Sequence, residues 1–447
     1  MRSAVLLLAL AVPAQAADPN SELRAALQDA AKQPLPRQSR YVTSYALPED
    51  QQKQAGAALS LLMNSFSKSA RIYKPTQVSP TLWRIDLSMY GVPATSWEGI
   101  VAGDTTWHIK TQVIPPGKTK PETVLTDSGA IDLKAAATLR ELTGSAGAVM
   151  RVDYWVGQVA TAPGYYTWAD ISVTSDGWYK GLGLNEQAIL ALRANRGAAV
   201  IRSGITRQPR RLSRWQGPAG AGWQSYDVFG DDAKKDPFAN PGFTSEYDAS
   251  ELIASRPNGL HQYGLYNFKG ERQNSVPERL AKDGLDDHGD GVLRAGFQCA
   301  RCHTQKASSG LRDFGNDVKD LVEKGIEVLD PDPSVADALG GFYLSSKLAR
   351  DLSRDREDYA AAVAEATGGL KPDESAKAVT DVLDYAVNLD VSPQDALREL
   401  GAKSLAGLRP SKSGVVLALY AGKPVKRTQF NAAFQDMLIL VKLNAMP

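Results

Sequence analysis

The rhythm of apolar and polar positions changes along this chain. Residues 21–33 and 48–68 carry apolar side chains at helical spacing, and Leu59, Leu62, Met63 and Phe66 fall on one face of the second segment. That spacing predicts two helices, the second with a buried stripe. From residue 71 the period shortens: Leu82-Trp83-Arg84-Ile85-Asp86-Leu87 alternates as a strand does, residues 105–112 follow suit, and Pro115-Pro116-Gly117 interrupts. Mixed helix and strand continue to about Pro257. Residues 251–256 and 261–268 read as short strands around Pro257-Asn258-Gly259. Further on the pattern turns helical, with candidate helices over residues 317–323, 342–352, 357–366, 375–389 and 429–442.

The expected fold class is therefore α+β: a mixed α/β amino-terminal region packed on a mainly α-helical domain. The division reads as 1–16 a signal peptide, 17–256 the mixed region and 257–447 the helical domain. The signal is read from Arg2, an apolar run from Ala4 to Val12 and the small-residue site Ala14-Gln15-Ala16. That run is much shorter than the ~20 residues that span a bilayer, and no later segment reaches that length. A periplasmic or secreted protein without a transmembrane segment is expected.

Lys and Arg number 51 against 50 Asp and Glu, so the net charge of +1 supplies no broad field for nucleic acid or an anionic membrane. Arg207, Arg210, Arg211 and Arg214 form a local basic cluster beside Trp215, expected to be a solvated face. All eight tryptophans lie between Trp83 and Trp223, where large rings can fill a core. Asp286-Asp287-His288-Gly289-Asp290-Gly291 has the oxygen donors of a calcium loop, but Phe297 stands where the twelfth position needs a bidentate Glu, and a plain loop is expected.

Only two cysteines occur in the chain, and both fall within Cys299-Ala300-Arg301-Cys302-His303. Exported proteins stapled by disulfides spread several pairs along their length. On a helix, residues three apart share a face, so the two thiols can reach both vinyl groups along one porphyrin edge while the next imidazole approaches iron. The pattern C-x-x-C-H is that of c-type haem attachment. A Cys299–Cys302 disulfide is the competing reading, but it leaves His303 without a role. A zinc site is another, though Cys302 and His303 are too close in sequence to share one tetrahedral ion readily.

The reading thus assigns one covalent haem c, with Cys299 and Cys302 as thioethers and His303 as an axial iron ligand. Met437, His261 and His288 are the candidates for the sixth position, which the sequence leaves open. Fe(III)/Fe(II) electron transfer with a redox partner protein, or with a small-molecule donor or acceptor, is the expected function. An open iron site would instead permit a haem-dependent oxidoreductase, and a ligand-binding site a sensor or partner-binding protein.

Beyond the haem motif, the chain resembles a family of large exported bacterial monohaem cytochrome c-like proteins. Asn64-Ser65-Phe66-Ser67, then Arg84-Ile85-Asp86-Leu87 and Tyr90, are similar to the family's N-S-L-S and R-I-D-L-x-x-Y segments. Val152-Asp153-Tyr154-Trp155-Val156 is similar to R-A-D-W-F-V, and Trp223-Gln224-Ser225-Tyr226-Asp227-Val228 to W-K-S-Y-D-F. Pro257-Asn258-Gly259-Leu260-His261 with Tyr263 resembles P-N-G-L-Q-x-Y. The resemblance runs from about Tyr41 to the helical tail. It implies a cytochrome c-like haem domain with the mixed region as an integral partner, and it implies no substrate. His261 stands where the family has Gln, and Met437 matches no family methionine, so neither inherits a role.

Overall fold

The computed structural model describes residues 19–101, 103–104, 108–114, 116–120, 122–127, 132–185, 187, 196–200, 210–228, 234–235, 246–277, 290–304, 346–408 and 413–445. The amino-terminal part runs α1 (Pro19–Ala30), β1 (Ser39–Thr43), α2 (Glu49–Phe66), β2 (Thr76–Ser79), β3 (Leu82–Asp86), α3 (Leu87–Tyr90) and α4 (Ala94–Val101). It continues with β4 (His108–Val113), β5 (Glu122–Asp127), α5 (Leu133–Thr143), β6 (Met150–Arg151), α6 (Val152–Val159), α7 (Gly164–Ala169) and α8 (Ser175–Gly181). Strands β7 (Arg196–Val200), β8 (Arg210–Gly217), β9 (Gly220–Tyr226), β10 (Ala249–Ser255), β11 (His261–Asn267) and β12 (Arg272–Gln273) follow. The later described elements are helices: α9 (Phe297–Thr304), α10 (Ser346–Thr367), α11 (Pro372–Val387), α12 (Pro393–Leu400), α13 (Gly414–Tyr420) and α14 (Arg427–Ala445).

Local chemistry accounts for several of these boundaries. Glu49 and Asp50 place negative charge in the first turn of α2, where the helix dipole favours it, and Leu59, Leu62, Met63 and Phe66 are buried as their spacing predicts. Asp86 ends β3 and caps α3 by accepting from the Ser88 N–H at 3.0 Å. Before α12, Ser392 and Asp395 form a capping box, and Pro393 begins the helix where a missing N–H costs nothing.

The described strands form three sheets. One is four-stranded in the order β2-β3-β1-β6, with β1 antiparallel to β3 and parallel to β6. The second is a six-stranded antiparallel meander, β12-β11-β10-β9-β8-β7, and the third is the β4-β5 hairpin. The largest core joins α2, α6, α7, the meander, α9, α10 and α11, and holds Trp97, Trp155 and Trp215 at 1 % exposure or less. Helix α11 packs on both α2 and α6. A second cluster lies between α1, α5 and β1, and a third closes α12, α13 and α14 on one another.

The fold is α+β, as its periodicities indicate. Residues 342–352 and 357–366 were expected to form separate helices, but α10 runs unbroken across the gap. The run Ser353-Arg354-Asp355-Arg356-Glu357-Asp358 has no apolar residue to mark a buried face, yet no Gly or Pro to stop a helix either. The helix expected at residues 317–323 lies outside the described residues.

The expected boundary between residues 256 and 257 falls in the turn of the β10–β11 hairpin. Ser255 pairs with His261 across it, and the Arg256 N–H donates to the Leu260 carbonyl at 2.6 Å. Gly259 takes φ +85° there, and a Cβ would stand 3.0 Å from Ala362 of α10. The sheet and the main core therefore pass from one expected region into the other without interruption.

The basic cluster is not a solvated face where it is described. Arg211 lies buried with its guanidinium 4.0 Å from the Tyr226 ring centroid, and Arg210 bonds Asp227 at 2.8 Å. Arg214 grips Asp355 of α10 through Nε at 2.8 Å and Nη2 at 2.7 Å. Arg207 lies outside the described residues. On β8, Arg210 and Arg214 share one face and meet carboxylates from outside the strand, while Arg211 on the opposite face is covered by an aromatic ring, pairings that a charge count along the sequence cannot register.

Candidate haem attachment site

The C-x-x-C-H segment forms α9, and its position depends on the residue before it. Gly296 has φ +114°, and a Cβ there would lie 2.6 Å from the Ala160 carbonyl oxygen and 2.7 Å from Cγ of Tyr165. Only glycine permits that approach. The Phe297 N–H then donates to Ala160 O at 2.8 Å and the Ala162 N–H to Ala295 O at 2.9 Å, tying the start of α9 to the corner between α6 and α7. Phe297, Cys299 and Ala300 enter the main core.

Cys299 is buried and Cys302 half-buried, and no disulfide joins them. Spaced by three residues, they occupy neighbouring positions on one side of the helix. His303 follows with its Nε2 3.4 Å from Oε2 of Glu251 on β10. Its ring lies 12° from parallel with that of Tyr263, centroids 6.4 Å apart. His261, two residues before Tyr263 on β11, lies 6.3 Å from it ring to ring and stacks on Tyr359 of α10 at 4.1 Å and 21°.

Electrostatics link these groups. Burial alone would push the Glu251 carboxyl up, but the charge of His303 and hydrogen bonds from His303 and Cys299 outweigh it and hold the group at about 2. Burial, and then the Glu251 charge, push the Cys299 thiol well above its ordinary value. His261 is lowered to about 3 by burial and by the nearby charge of His303, so its imidazole stays neutral across the ordinary pH range.

The structure thus brings Cys299, Cys302, His303 and His261 into one neighbourhood. Met437 is not part of it: its side chain is buried with Phe430, Phe434 and Leu438 in the carboxy-terminal cluster, apart from the core that holds Cys299. His288 and most of the calcium-like loop lie outside the described residues; Asp290 binds Arg294 at 2.6 Å. On another flank of α9, Gln298 and Arg301 line a polar cleft of about 460 Å³ with Asp384 of α11, Asn388 just beyond its end and Thr428 of α14.

Sequence reading missed Glu251 and Tyr359. Glu251 gave one usable signal, a carboxylate in a strand otherwise built of apolar and small residues. Its relation to His303 depends on strand register, which no local spacing encodes. Tyr359 sat within a candidate helix as an ordinary apolar position.

The donor set suits a haem of the c type. Two thiols not joined by a disulfide share one short helix with an imidazole, and His261 Nδ1 is a buried ring nitrogen without a hydrogen-bond partner among the described residues. Among those residues no three His, Cys, Asp or Glu side chains are grouped to hold a bare metal ion. No described helix is long and apolar enough to cross a membrane. No protein-family profile, curated protein or solved structure matches the chain.

Proposed function

We propose that this chain is an exported monohaem c-type cytochrome, of the cytochrome c-like family it resembles, that works in electron transfer. Haem c is joined through Cys299 and Cys302, and His303 holds the iron. The observation that carries the reading is the placement of both thiols, not joined by a disulfide, and the adjacent imidazole on one helix anchored in the main core. A haem bound there supplies one-electron Fe(III)/Fe(II) chemistry.

The chain's own groups have separable roles. Cys299, buried in the core, and Cys302, half-buried, would hold the cofactor through thioether bonds. Glu251 orients the His303 ring, as carboxylates beside metal-bound imidazoles do, and raises its basicity. Tyr263 and Tyr359, both buried, keep water from the imidazoles. The partner is a redox protein or a small-molecule electron donor or acceptor met in the periplasm or outside the cell. The meander and α10 belong to the same core as α9, so the mixed region supports the haem helix rather than standing as a separate catalytic module.

Mass spectrometry of protein matured with cytochrome c assembly machinery tests this. One haem mass retained after denaturation and acidified organic solvent is expected, and Cys299→Ala with Cys302→Ala abolishes it. A colourless wild type, or one that releases its pigment into the solvent, overturns the proposal.

A further inference from the structure

We propose that His261 is the second protein ligand to the iron of this site, so that the haem is held between two imidazoles; this rests on the haem reading above. The sheet supplies the first argument. In the β10–β11 ladder Glu251 lies opposite Leu265, Ile253 opposite Tyr263 and Ser255 opposite His261. Directly opposed residues share a face, as do residues two apart along a strand, so Glu251, Tyr263 and His261 line one side of the sheet. Successive positions on that side are ~6.6 Å apart. His303 contacts Glu251 and faces Tyr263, and His261 occupies the next position along the same surface.

The second argument is the state of the ring. His261 is 5 % exposed and held flat against Tyr359, and its Nδ1 has no hydrogen-bond partner among the described residues. Buried imidazole nitrogens ordinarily find a donor, an acceptor or a metal. The third is the position of the rival: Met437 is fully buried with Phe434 and Leu438 in a different cluster from the one that holds Cys299, and its sulfur would have to leave that cluster to reach α9.

Near-infrared magnetic circular dichroism and electron paramagnetic resonance of the ferric holoprotein distinguish bis-imidazole from imidazole–thioether iron without any substitution. The wild type is expected to be low-spin with the bis-imidazole signature. His261→Gln should retain its covalent haem, become high-spin and bind carbon monoxide when reduced, and Met437→Leu should keep the wild-type spectrum. A coloured wild type that is high-spin or carries the thioether band overturns the inference alone, as does a His261→Gln protein that stays low-spin. A colourless wild type overturns the haem reading and this inference with it.

Discussion

Replacing Gly296 with Ala tests the way α9 is positioned. At φ +114° an L-residue sits in a sparsely populated region, which costs ~1–3 kcal/mol. The added methyl group also meets the Ala160 carbonyl at 2.6 Å and Tyr165 Cγ at 2.7 Å. Both neighbours are confined, one as backbone and the other by a hydroxyl that accepts from the Tyr263 N–H at 3.0 Å. Overpacking of this kind adds ~1–3 kcal/mol. The sum is ~2–6 kcal/mol, carried by the segment that places Cys299. Gly291→Ala separates the two contributions. Gly291 has φ +69°, and nothing lies within 4 Å of a Cβ built there, so it should lose only the ~1–2 kcal/mol of a left-handed L-residue. The assay is equilibrium urea denaturation of both variants beside wild type, with covalently retained haem measured on each. Gly296→Ala should lose distinctly more stability than Gly291→Ala and should retain less haem. Equal losses, or a Gly296→Ala change within ~0.5 kcal/mol of wild type, the range of an unremarkable surface substitution, would refute the close-approach argument.

Other expectations concern buried charge. Asp355 accepts from Arg214 at 2.7 and 2.8 Å and from Trp223 Nε1 at 3.0 Å, so Asp355→Ala strips the buried guanidinium of its two-point partner, leaving it Gln216 at 3.1 Å and Asp351 at 3.8 Å, and should cost up to ~3–5 kcal/mol by denaturation. Pairing it with Arg214→Met should recover part of that loss, and an additive double variant would show that the pair is not coupled. Glu399 accepts from Tyr385 at 2.8 Å, Arg427 at 2.7 Å and Arg151 at 2.8 Å. Burial alone would push its carboxyl up, but the two guanidinium charges hold it below the ordinary value of 4.5. A carboxyl lowered in the folded state binds its proton more readily when unfolded, so its stabilisation is complete above that ordinary value and is lost as pH falls below it. Glu399→Gln should therefore flatten the acid limb of stability against pH, which a denaturation series between pH 3 and pH 7 reads directly; an unchanged slope would remove Glu399 from the acid response.

Much of the local structure could be read from the chain itself. The stripe on α2, the strand at Leu82–Asp86 and the final helix follow from periodicities of a few residues. The C-x-x-C-H run is equally local, since five consecutive residues supply two thiols and an imidazole within about a turn and a half of helix. Where the reading went astray, the deciding partner lay far off in sequence. Arg214 looked like part of a solvated face until Asp355, 141 residues later, met it in the core. Glu251 looked like any strand residue, and its bond to His303 spans 52 positions.

The sequence by itself set two thiols and an imidazole side by side on one short helix, because residue type and local spacing need no distant partner. Which imidazole stands near His303, and which candidate is shut away in another core, was decided only by tertiary structure. Strand register and helix packing set those distances, and they result from the burial of the whole apolar surface at once rather than from any short segment.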